Sequence, residues 1–187
     1  PISLVDCKEL TRQFCESVMG LGECLGTSFL QLPPSFTPAQ LPILKNFLLS
    51  LPRGFQIAVE FRHPAWFTRH SLRADAARVL ESQGATALIT DVAGRRDVLH
   101  MSLTSSCAMI RFVGNGLHPT DFERVDAWVS KLGSWLAQGL REIYIFVHQP
   151  DDSLSPDLIR YWVRQFNQRV GLDLKDWVES DQGQQMS

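Results

Sequence analysis

Apolar segments of five to seven residues alternate along the chain with longer segments in which apolar residues recur at helical spacing. That alternation predicts strand and helix units wound around a parallel sheet. The strands are expected at 27–32 (TSFLQL), 55–61 (FQIAVEF), 85–90 (ATALIT), 108–113 (AMIRFV) and 142–148 (EIYIFVH), and the helices at 4–19, 38–50, 71–83, 120–138 and 155–170. Local signals mark several boundaries: Ser3 with Asp6, Thr37 followed by Pro38, and Thr120 with Glu123 read as helix starts, and Gly84 reads as a stop. Trp128 and Trp135 lie seven apart on one helix and are expected to pack inward. Residues 1–173 are expected to form a single domain, with 174–187 as a polar tail.

The first turn decides between two α/β architectures. A nucleotide-binding doubly wound sheet carries a glycine-rich turn after its first strand, and here QLPPSF follows instead, with neither GxGxxG nor a Walker A pattern anywhere. Nearly every strand ends polar: Gln31, then Glu60 with Arg62 and His63, Asp91, Arg111, and His148 with Gln149. Counting by twos places Ala58, Glu60 and Arg62 on one strand face, Ala87, Ile89 and Asp91 on the next, then Met109 and Arg111, then Tyr144, Phe146 and His148. Faces that run from apolar to polar toward the strand ends fit a (β/α)8 TIM barrel, packed inside and wet at one mouth.

The string AVEFRHPAWF (58–67) resembles the YecE-like family, domain of unknown function 72. The similarity extends through LQLPPSF (30–36), LITD (88–91), IRFVGN (110–115) and YIFVHQPDD (144–152). It implies a barrel of about 250 residues, of which this chain resembles the last five strand and helix units, so the TIM-barrel-like domain is expected to be incomplete, lacking N-terminal strands. The string VHQPDD stands where many members carry paired asparagines, and VAGRRDVLHMSLTSS stands where some carry a long basic insert. The resemblance implies no particular activity.

The chemistry expected of this chain gathers at the strand ends. Glu60 and Arg62, about 7 Å apart along a strand, are placed to share a network with Asp91. Arg62 and Arg111 suit a phosphate- or carboxylate-bearing ligand, and Glu60, Asp91 and His148 are the candidate acid or base groups. Gln31, His63 and Arg95 complete the candidate ligand-binding set, and Arg95, Arg96 and the GNG turn at 114–116 offer a phosphate-binding alternative. Two other readings stand beside this one: an architectural charge cluster in a non-catalytic, partner-binding barrel, and a metal-dependent hydrolase or isomerase using Glu60, Asp91 and His148, which the neighbouring arginines disfavour. No metal and no cofactor is expected. His100 and His118 are expected at the surface, and Trp66 and Phe67 beneath the turn at Pro64.

The chain has 187 residues, 44% hydrophobic, with 18 Lys and Arg against 20 Asp and Glu. The resulting charge of −2 gives no overall field for nucleic acid, and the apolar runs fall short of the roughly 20 residues a membrane helix needs. A small anionic molecule is therefore the expected partner, with neither nucleic acid nor membrane, and the oligomeric state is left open. Cys7, Cys15, Cys24 and Cys107 form no CxxC pair and point to free thiols in the cytoplasm.

Overall fold

The computed structural model describes residues 4–175. In chain order the elements are α1 (Lys8–Met19), β1 (Ser28–Gln31), α2 (Leu41–Leu49), β2 (Ile57–Glu60), β3 (Phe67–Thr68), β4 (Ser71–Leu72), α3 (Ala74–Ser82), β5 (Thr86–Val92), β6 (Cys107–Val113), α4 (Pro119–Ala137), β7 (Glu142–His148) and α5 (Ser155–Val170). A five-stranded sheet has the order β1-β2-β5-β6-β7, and β3 and β4 form a separate two-stranded ribbon. Strand β2 pairs in parallel with both β1 and β5. All five expected strands and all five expected helices are present, and the fold is α/β.

Several boundaries differ from expectation. The helix expected from residue 71 begins at Ala74, because Ser71 and Leu72 are taken up by an antiparallel pairing with Thr68 and Phe67. Helix α4 begins at Pro119, and the His118 side chain accepts the Thr120 amide, so His118 is its cap while Thr120 sits inside the first turn. Other signals stand: Thr37 and Gln40 make a reciprocal capping box at the turn leading into α2, and Gly84 takes the left-handed conformation (φ +64°) just past α3. Ser3 and most of the expected polar tail lie outside the described residues, and α1 starts only at Lys8, with no side-chain cap from Cys7.

The chain divides into two compact units, residues 1–111 with 142–145 and residues 112–141 with 146–187. In the first, Leu44 and Leu48 of α2 and Ala76 and Leu80 of α3 pack with Val59 and Ala87 of the sheet and with Phe36, Phe61 and Trp66. Each fully buried leucine there stabilises the fold by about 1.5–3 kcal/mol. The opposite sheet face buries Ala58, Leu88 and Met109, with Tyr144 against them. In the second unit, Trp162 packs edge-on to Phe112 and stacks on Phe166, and Trp128 and Trp135 of α4 are buried as their spacing requires.

Among the described residues no helix is long and apolar enough to cross a membrane.

Candidate functional site

The register of β2 determines which polar groups meet. Gln31 sits opposite Glu60, and Ala58 opposite Thr86, so counting on by twos places Thr86, Leu88 and Thr90 on the face of β5 that carries Ala58 and Glu60. Asp91 therefore lies on the other face, alongside Ala87 and Ile89. The structure thus separates Asp91 from Glu60, against expectation: six of the seven residues of β5 are buried, so nothing in its composition distinguishes its two faces.

Thr90 takes the expected place of Asp91. Its hydroxyl donates to Glu60 Oε1 at 2.9 Å, and Arg111 Nη1 reaches Glu60 Oε1 and Oε2 at 3.3 and 3.5 Å. Glu60 is 1% exposed, whereas the Arg111 side chain is 34% exposed. Its Nε and Nη2 bond no described residue. The result is a buried carboxylate that holds a half-open guanidinium on the polar end of the sheet face, with the exposed Gln31 at the neighbouring strand position. Thr90 escaped the sequence reading because a threonine inside ALIT looks like ordinary strand filling.

Within the first unit, Arg62, His63, Asp91 and Arg95 make no hydrogen bond or ion pair with Glu60, Thr90 or Arg111. Strand β2 ends at Glu60, and Arg62 stands beyond it, exposed and without an ion pair to another described residue. His63 is half-buried and its Nδ1 accepts the Ala65 amide at 3.1 Å, so it caps the short turn at Pro64. Asp91 is buried and bonds Arg96 at 2.6 Å. Arg95 grips Asp97 through two hydrogen bonds of 2.9 and 3.0 Å, which hold the Asp97 carboxyl below the usual carboxylate range. His148 is exposed in the second unit, where its backbone carbonyl accepts the Gly114 amide.

The phosphate-binding alternative loses its donors. The Asn115 amide bonds the buried Asp121 carboxylate at 2.7 Å, and the Gly116 amide bonds Gln149 Oε1 at 2.9 Å. Arg95 and Arg96 are engaged by Asp97 and Asp91. Among the described residues no three His, Cys, Asp or Glu come together in a way that could hold a metal ion, and Asp91 does not share a sheet face with Glu60.

His100, expected at the surface, is 1% exposed. Its Nε2 donates to the Leu88 carbonyl at 3.1 Å and its Nδ1 accepts the Ser102 amide at 3.3 Å, while the ring stacks on Phe67. Burial pushes its pKa down to about 4. The segment after β5 lacks helical periodicity, and it returns along that strand as an extended stretch: Thr104 bonds the backbone of Ala85 and Ala87, and Thr86 bonds Ser105. Trp66 is fully buried, donating to the Phe36 carbonyl at 2.7 Å.

The family described as "Protein of unknown function DUF72" matches residues 2–182. The chain is 31% identical over 175 residues to UPF0759 protein YecE of Escherichia coli K12, an alignment covering 84% of this chain and 64% of that protein, and it shows the same similarity to the Escherichia coli O157:H7 protein. The chain thus spans less than two thirds of these relatives. Two crystal structures of a DUF72 family protein from Enterococcus faecalis V583 superpose with TM-scores of 0.65 and 0.69 at 15% and 14% identity, covering 91% and 89% of this chain and 68% and 70% of theirs.

Proposed function

From the premise that this chain belongs to the DUF72 family of proteins of unknown function, we propose that it binds a small phosphate- or carboxylate-bearing molecule at the carboxyl end of its strands, with Arg111 as the anchoring cation. The observation that carries the reading is the state of that guanidinium: partly exposed, oriented through one nitrogen by a buried carboxylate, with its other donors unspent. A bidentate anion needs such a pair of free N–H groups. Gln31, beside Glu60 in the register, supplies a neutral polar contact. Any acid or base step would fall to Glu60, since Asp91 faces away from it.

The sheet with its helices is, on this reading, the C-terminal part of a (β/α)8 barrel formed by residues 1–173, and the strand ends form part of its mouth. The likeness to the Enterococcus faecalis structures supports the fold but carries no activity. The free, buried thiols of Cys15 and Cys107 suit a cytoplasmic setting.

A second reading is favoured by the burial of Glu60: the Thr90, Glu60 and Arg111 group ties three strands together, and the protein acts through partner binding. Thermal denaturation with phosphate, citrate or succinate separates the two. A ligand at 100 times its Kd adds about 2.7 kcal/mol, which raises the Tm by roughly 5–10 °C for a chain of this size. The anion reading expects that rise in the wild type and its loss in the paired variant Glu60→Gln/Arg111→Met, which removes both charges together. No rise with any of the three anions favours the architectural reading.

A further inference from the structure

From Phe61 to Ala74 the chain carries Arg62, Arg69, Arg73, His63 and His70 and not one acidic residue. Within this run Thr68 pairs with Ser71, leaving Arg69 and His70 as the two central residues of the hairpin turn, at φ +47° and +66°. Positive φ at both positions is the pattern of a type I′ turn, which is normally filled by Asn-Gly because larger side chains are strained there. Such strain persists only where the surroundings impose it. Here they do: the His70 carbonyl accepts the Met101 amide at 2.9 Å, the Leu72 amide bonds Ser102 Oγ at 3.0 Å, and the Arg73 amide bonds the Trp66 carbonyl at 2.8 Å. Phe67 at the base of the hairpin stacks on buried His100. Arg69 and His70 are both exposed, and neither Arg69 nor Arg62 forms an ion pair with another described residue. Of the arginines in the run, Arg73 is engaged, by Asp75.

We propose that this hairpin tip is a docking element for an acidic segment of a partner protein, with Arg69 and His70 making the contact and Arg62 adding to the local field. The inference is independent of the anion site at Arg111. Charge complementarity selects the partner: an exposed hairpin tip in a run with no acidic residue can meet a carboxylate-bearing surface without desolvating a carboxylate from that run, and arginine is the charged residue enriched in protein interfaces. A free phosphate is a poorer fit, because small-molecule sites are concave with convergent donors. Nucleic acid is disfavoured by the net charge of −2 and the lack of an extended basic stripe.

The test uses the 187-residue chain and a fluorescein-labelled polyglutamate peptide, with a single-stranded oligonucleotide and inorganic phosphate as competitors. The informative variant is Arg69→Asn/His70→Gly, which supplies the residues the turn prefers. It should melt at least as high as the wild type while binding polyglutamate at least tenfold more weakly, and wild-type binding should itself fall about tenfold as added salt screens the contact. The exposed change Arg62→Ala should weaken binding about threefold with the Tm unchanged. Undiminished binding by the Asn-Gly variant, a lower melting temperature for it, or tighter binding of the oligonucleotide or phosphate than of polyglutamate would each overturn the proposal.

Discussion

Acidification should destabilise this protein through His100, by an amount the structure sets. The ring is neutral in the fold: Nε2 carries the proton shared with the Leu88 carbonyl and Nδ1 receives the Ser102 amide. A second proton on Nδ1 would oppose that amide with nothing to accept it. Among the described residues no carboxylate is bonded to the ring to offset the charge; it bonds the Leu88 carbonyl and the Ser102 amide and stacks on Phe67. The folded pKa is pushed down to about 4 from 6.5. Since the folded value is the lower one, the unfolded chain binds the extra proton first as pH falls. The stability is therefore whole above about pH 6.5 and is lost progressively toward pH 4. At about 1.4 kcal/mol per pH unit, the gap amounts to about 3 kcal/mol.

Urea unfolding followed by tryptophan fluorescence, at intervals from about pH 7 to pH 4.5, measures this when His100→Leu is run in parallel. The leucine variant should be weaker at pH 7 by roughly 2–4 kcal/mol, because the buried Leu88 carbonyl and the half-buried Ser102 amide lose their partner. Its disadvantage should then shrink by roughly 2–3 kcal/mol by about pH 4.5, where the wild type has lost most of the histidine contribution. Carboxylate titrations common to both proteins cancel in the difference. A gap between the two proteins that stays constant across the range would refute the reasoning.

Other perturbations probe separate parts of the fold. Gly114→Ala would drive a Cβ into the Gln149 side-chain amide, so that buried amide must swing away and release the Gly116 amide; a loss of about 1–3 kcal/mol in chemical denaturation is expected. Trp66→Phe keeps the stacking on Phe36 but removes the donor to the Phe36 carbonyl, which should cost about 1–3 kcal/mol by the same measurement. Arg111→Met alone strands the buried Glu60 charge and should destabilise by up to about 3 kcal/mol, and adding Glu60→Gln should recover most of the loss in a double-mutant cycle.

The fold is legible in the sequence where a pattern repeats, and hidden where one residue decides. Among the described residues, alternation of short apolar runs with helical ones locates every strand of the five-stranded sheet and every α-helix, because burial of whole faces imposes those periods over many residues. The ribbon at 67–72 went unseen since each strand has two residues and the turn is Arg-His, the reverse of what hairpins usually display. Glu60 and Arg111 were legible as polar ends of apolar strands, and they do meet. Asp91 was misplaced because a strand buried on both faces carries no parity signal, and only its register with β2 supplies one. His100 and Gln149 are buried by segments without periodicity, so their partners, the Leu88 carbonyl and the Gly116 amide, are long-range contacts that spacing does not encode.

The claim that Arg111 anchors an anion is tested most directly by soaking crystals of this chain in selenate, whose selenium marks bound anions by anomalous scattering. The account predicts a peak within hydrogen-bond reach of the Arg111 Nε and Nη2 groups in the wild type, absent from Glu60→Gln/Arg111→Met. Selenate bound elsewhere on the surface, with the Arg111 donors left bare in the wild type, would contradict it.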